Sequence, residues 1–157
     1  MAISAGPLFT TNPSISFIVN FDPSRDDDAA ELLDLVWAQL AADGTVLMQL
    51  AVYPFSKRYG WVQDRYGVSW RLILTDPAGD ARPATVPALM FVGDVSGKAE
   101  AATDFYLDVF GDAERGQLVR YPEGMAAEVP GTVMFCDIRL GDTWIADMDT
   151  ARAGLRR

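Results

Sequence analysis

The stretch from Tyr53 to Thr75, YPFSKRYGWVQDRYGVSWRLILT, constrains the fold of this chain more than any other. Its aromatic and β-branched residues suit a pleated surface, and its glycines punctuate that surface with turns. Gly60 and Gly67 read as turn positions. Gly60 to Asp64 then predicts one short strand and Val68 to Leu74 a second, so the stretch forms a hairpin. Side chains alternate along a strand, so if Val68, Trp70, Leu72 and Leu74 lie beneath a helix, Arg71 points to the opposite face.

The rest of the chain repeats one order of elements. Residues 1 to 13 read as an N-terminal arm, and Ser14 to Asn20 as a first strand. In FDPSRDDDAAELLDLVWAQLAADG, Asp22 or Ser24 is placed to cap a helix and acidic residues fill its first turn. Leu33, Val36, Trp37 and Leu40 form its apolar stripe, and Gly44 closes it. The run Asp26-Asp27-Asp28 is more economically a helix start than a metal site. Thr45 to Val52 is a strand, followed by the hairpin.

The proline-rich segment Thr75 to Pro87 separates this unit from a second. That unit reads as strand Ala88 to Val92, helix Lys98 to Phe110, then strands Gln117 to Tyr121, Thr132 to Leu140 and Thr143 to Met148. Offsetting the chain by 73 positions lays Val19 on Val92, Leu33 on Tyr106, Val36 on Val109 and Trp37 on Phe110, which suggests a repeat. The expected organisation is an arm at 1–13, one module at 14–76, a linker at 77–86, a second module at 87–150 and a tail at 151–157.

Composition removes several classes of function. The net charge of −9 disfavours nucleic acid and anionic lipid. No apolar run approaches the roughly 20 residues of a bilayer span. MAISAGPLFTTNPS has no basic segment leading into an apolar one, so a cytoplasmic protein is expected. There is no histidine, which removes every Ser-His or Cys-His scheme. Any metal would have to be a hard cation held by carboxylates and carbonyls. Cys136, the single cysteine, sits among Met134, Phe135 and Ile138 and reads as a buried, inert thiol.

The order of turn, Gly-Trp strand, Asp-Arg-Tyr-Gly turn and Val-Ser-Trp strand resembles the PhnB-like branch of the glyoxalase/bleomycin-resistance (vicinal oxygen chelate) superfamily. Its members are often named for a 3-demethylubiquinone-9 3-methyltransferase domain. SISFIVNFDPSRD, VPALMFVGDVSGKAEAATDFYLDVF and GTVMFCDIRLGDTWIADMD carry the likeness through the rest of the chain. The resemblance implies an α+β fold of two βαβββ modules, whose strands form curved, cup-like mixed sheets with the helices outside and a small-molecule pocket inside. In the metalloenzymes of that superfamily the cup carries His or Glu ligands. Here the first-strand position falls near Ser14 or Ser16, the last-strand glutamate position falls on Arg71, and its counterpart in the second module is Ala146. A guanidinium cannot ligate a metal. The modules also stand in the reverse of the familiar order, and longer relatives look like tandem arrays, so a homodimer is expected.

These readings give a metal-free protein that binds a small molecule in the cup, with no cofactor. The pocket candidates are Ser16, Trp61, Gln63, Arg71, Met90 and Phe135, with Arg71 and Gln63 as polar anchors; Trp70 and Trp144 are further aromatic candidates. Arg71 could hold an anion through its fork of donors, although an ion pair with one of the many carboxylates is the preferred reading. The alternative function is an isomerase or lyase with a divalent cation on Asp137, Asp147 and Asp149, residues that otherwise read as a solvated acidic strand end. A third reading is a structural remnant of a longer tandem protein. GDVSGK is too short for a phosphate loop, and no Gly-rich turn supports a nucleotide-type methyltransferase site.

Overall fold

The computed structural model describes residues 14–125 and 127–151. The arm expected at 1–13 and all but the first residue of the tail lie outside them. The first half runs β1 (Ile15–Phe21), α1 (Ala29–Ala41), β2 (Thr45–Tyr53), β3 (Ser56–Gln63) and β4 (Ser69–Leu74). The second half repeats the order with β5 (Thr85–Phe91), α2 (Ala99–Val109), β6 (Ala113–Arg120), β7 (Val133–Leu140) and β8 (Thr143–Asp149). The α+β fold of two βαβββ modules is therefore present. No helix among the described residues is long and apolar enough to cross a membrane.

All eight strands form one open mixed sheet in the order β2-β3-β4-β1-β5-β8-β7-β6. Within each half the first strand pairs parallel with the last, β1 with β4 and β5 with β8. The halves join where β1 and β5 run antiparallel, Ile18 opposite Val86. Two apolar layers lie beneath the helices. One gathers Phe21, Ala29, Leu33 and Leu72 under α1, and the other gathers Ala99, Val133, Cys136 and Ile138 under α2. A third layer, on the face away from the helices, draws on both halves through Ile18, Tyr59, Trp61, Val86, Ala88, Met90, Ala146 and Met148.

The structure corrects several local expectations. Gly60 is inside β3 rather than at a turn, and a Cβ there would lie 2.5 Å from the Trp37 ring. Its glycine is needed because α1 packs an indole flat on the strand. The φ of +83° at Gly67 does belong to a turn, where Asp64 accepts hydrogen bonds from the Tyr66 and Val68 amides and from Trp70 Nε1. At the end of α1, Asp43 takes the left-handed conformation with φ 59°. Gly44 instead permits close approach, since a Cβ would meet the Gln63 carbonyl at 2.6 Å. Asp22 organises the turn through the Ser24 amide and hydroxyl, while the N-cap position itself is Asp28.

The repeat is real, but the 73-residue offset is wrong. Buried Ala29 and Leu33 of α1 correspond to buried Ala99 and Thr103 of α2, three residues short of that offset. The first strands share that shorter offset while the last strands are offset by five residues more, since Thr75 donates its amide to the Phe21 carbonyl as Thr150 does to that of Phe91. Val109 and Phe110, laid on the helix stripe by the longer offset, are exposed.

Candidate functional site

The face away from the helices is where both halves meet. Alternation places Ser16 and Ile18 of β1, Tyr59 and Trp61 of β3, Ser69 and Arg71 of β4, Met90 of β5, Phe135 and Asp137 of β7, and Met148 of β8 on it. Register supports this, since Arg71 stands opposite Ile18 on one side and Trp61 on the other. Trp70, Leu72 and Leu74 pack beneath α1.

Arg71 is 4% exposed. Its guanidinium lies 4.0 Å above the Trp61 ring, whose Nε1 donates to Ser69 Oγ at 2.6 Å. Arg71 Nη1 donates to Met148 Sδ at 2.9 Å. In a flat sheet β4 and β8 would stand about 14 Å apart, so this contact uses two long side chains bent over β1 and β5. A thioether is a weak acceptor. Arg71 Nε and Nη2 are buried with no hydrogen-bond partner among the described residues, and so is Ser16 Oγ on the neighbouring strand. The Tyr59 phenol is pushed up by burial, with the Arg71 charge and a hydrogen bond from the Arg71 side chain pulling the other way.

The preferred reading of Arg71 as one half of a structural ion pair is therefore overturned. No carboxylate pairs with it among the described residues, and residues 1–13, 126 and 152–157 contain no Asp or Glu. The nearby acid is taken. Asp137 is 3% exposed, Arg82 Nε donates to its Oδ2 at 2.6 Å, and the Gln117 amide donates to its Oδ1 at 2.6 Å. Arg82 in turn lies 4.1 Å above the Trp144 ring. Gly116 closes over this group, for a Cβ there would collide with the Asp137 carboxylate and lie 2.9 Å from Trp144.

Of the pocket candidates, Ser16, Trp61, Arg71, Met90 and Phe135 share this face. Gln63 is occupied as a hairpin clasp, donating its amide to the Gly67 carbonyl at 3.0 Å. Trp144 is on the face with Arg82, and Trp70 is on the helix side. Arg82, Tyr59 and Met148 were missed. Arg82 left one signal, as the one basic residue between Arg71 and Lys98, just before a strand.

Asp137, Asp147 and Asp149 do not converge. β7 and β8 pair Asp137 with Ala146 and Cys136 with Asp147, so Asp137 faces inward while Asp147 and Asp149 face α2. No cluster of three acidic or cysteine groups suited to a metal occurs among the described residues. Nor are these residues solvated, since Asp147 is 0% and Asp149 1% exposed. Asp149 accepts from the amides of Gly97, Ala99 and Val133, and so caps α2 from the strand beneath it. Asp147 accepts from the Thr103 hydroxyl at 2.8 Å, while its Oδ1 has no partner among the described residues. Burial pushes its carboxyl up, against the lowering pull of Thr103 and Arg115. Cys136 is fully buried, and burial pushes its thiol up as well, as expected of an inert thiol.

Surface hollows open elsewhere, one lined by Phe110, Asp112, Leu140 and Thr143 and another by Val92 to Val95. Neither collects unpartnered charge. The inner face can therefore offer a guanidinium edge and a hydroxyl, beside an indole and two methionines.

Comparison with known proteins locates the chain. Residues 1–73 match the family model described as 3-demethylubiquinone-9 3-methyltransferase. No curated protein matches. A PhnB protein from Bacillus cereus is 44% identical over 43% of this chain and 48% of its own, with a TM-score of 0.38. A protein from Pseudomonas aeruginosa is 25% identical over 38% of this chain and 41% of its own, with a TM-score of 0.32. One from Staphylococcus aureus is 30% identical over 39% and 47%, with a TM-score of 0.32. The match spans less than half the length of each of these structures. Through its residues 1–73, less than half of its length, the chain is thus similar to the 3-demethylubiquinone-9 3-methyltransferase family.

Proposed function

We propose that this protein binds a small organic molecule on the inner face of its sheet, as a cup of the glyoxalase/bleomycin-resistance type that works without a metal. One observation carries the reading. Three of the four buried side-chain polar atoms that lack a partner among the described residues, Ser16 Oγ, Arg71 Nε and Arg71 Nη2, belong to neighbouring strands on that face. A buried polar atom without a partner destabilises a fold by roughly 1–3 kcal/mol, so such a group is most economically completed by a ligand. Trp61 and Phe135 supply apolar walls, and Met90 and Met148 are flexible enough to repack around a guest. A cation at the last-strand position opposes metal binding there.

A native mass spectrum of the freshly purified protein tests this directly. The expected result is a subunit, two per assembly, carrying a small organic mass that is released on denaturation. A stoichiometric divalent metal in its place would contradict the reading.

A further inference from the structure

We infer that the ligand presents a carboxylate, taken side-on by the Nε and Nη2 edge of Arg71 with Ser16 Oγ beside it; this rests on the small-molecule reading above. A guanidinium has two pairs of donors in parallel, and the Nε–Nη2 pair is the edge that matches both oxygens of a carboxylate. In Arg71 that edge is the empty one. Nη1, on the other side, is turned to Met148 Sδ, and the guanidinium carbon lies 4.0 Å over the Trp61 ring. The guanidinium is thus held on one face and at one corner, leaving two parallel N–H groups pointing the same way.

Charge argues for the same class. A guanidinium stays protonated in proteins, so Arg71 is a buried positive charge. The inward carboxylate Asp137 is committed to Arg82 and to the Gln117 amide. A monoanion brings neutrality and two charge-assisted hydrogen bonds at once, whereas a neutral ligand leaves the charge buried. Phosphate would bring up to two negative charges to a single guanidinium, with tetrahedral rather than planar oxygens, on a chain of net charge −9. Ser16 is fully buried and its hydroxyl can donate to the same group. Beyond the carboxylate the surroundings are Trp61, Met90 and Phe135, so the remainder of the molecule is apolar.

The test titrates the full chain with acetate and benzoate, and with acetamide, benzamide and inorganic phosphate as controls, reading melting temperature and tryptophan fluorescence. The expected result is a saturable response to benzoate, weaker to acetate, and at least roughly tenfold weaker to the matched amides. Arg71→Lys keeps the charge but loses the fork, and is expected to weaken benzoate by at least roughly tenfold while melting cooperatively. Ser16→Ala is expected to weaken it by a smaller factor. If benzoate and benzamide bind alike, or Arg71→Lys binds benzoate as the unaltered chain does, the carboxylate inference falls and the small-molecule reading stands. A phosphate response matching that of benzoate also overturns it. If no probe binds and the native spectrum carries no extra mass, both readings fall.

Discussion

Two arginines lie over two tryptophans on the same face of this sheet, one in each half of the molecule, and among the described residues only one of them has a carboxylate. Arg82 covers Trp144 and pairs with Asp137, under Gly116. Arg71 covers Trp61 and meets a methionine sulfur where an acid would be expected. The first is a finished structural unit with its donors and acceptors matched. The second has the same cation and the same aromatic plate with the anion missing. A fold that can complete one such group internally and leaves the other incomplete has reserved it for something from outside. The helix side shows a parallel difference. Leu33 and Leu72 pack beneath α1, where the second half places Thr103 and Asp147 beneath α2.

Breaking the completed pair should have the largest effect. Asp137→Asn removes the buried carboxylate of the pair and leaves the partly buried Arg82 only the exposed Asp80 at 4.0 Å, and is expected to lower stability by about 3–5 kcal/mol in chemical denaturation. Arg71→Met should do the opposite. It removes a buried charge that has no counter-charge to orphan, and a gain of about 1–3 kcal/mol is expected, with benzoate binding lost. A loss as large as that of Asp137→Asn would mean that Arg71 is structurally completed after all.

The helix-side difference is read through pH. Thr103 Oγ1 lies 2.9 Å from the Ala99 carbonyl and 2.8 Å from Asp147 Oδ2, so its one proton is divided between two acceptors and compensates the buried carboxylate only in part. The folded carboxyl holds its proton more tightly than the unfolded one, because its pKa is raised by burial. Its stabilising contribution is therefore complete below the ordinary aspartate range near about 4, and is lost as pH rises through the folded value. Asp147→Asn fixes the neutral form. Its stability relative to the unaltered chain should climb as pH rises from that range, and a difference independent of pH would refute the raised Asp147 carboxyl. Smallest is Gln63→Ala, which removes only a hairpin clasp. A loss of about 0.5–1 kcal/mol is expected, with benzoate binding unchanged.

Much of the architecture was legible because it depends on local pattern. Alternation in VSWRLIL was enough to send Arg71 inward and Trp70 under the helix, and the order of strands and helices followed from periodicity and turns. What was not legible depends on partners distant in sequence. With twenty-two acidic residues in the chain, an ion pair for Arg71 was the natural expectation, but Asp137 is claimed by an arginine from a proline-rich connection. Asp147 and Asp149 lie at a strand end in an acidic chain, yet the start of α2 settles above them and uses one as a cap. Gly60 sits beside Trp61 like a turn glycine, and only the placement of Trp37 shows why it has no side chain. The repeat offset failed by three residues because apolar residues are frequent enough to align at the wrong phase.

The most direct measurement is a ¹⁵N-resolved NMR titration that follows the Nε–H signals of Arg71 and Arg82 as benzoate is added, with benzamide as the control. The account predicts that the Arg71 signal moves downfield and saturates with benzoate alone, while Arg82, already paired with Asp137, stays in place. Movement of neither signal, or equal movement of both, would contradict it.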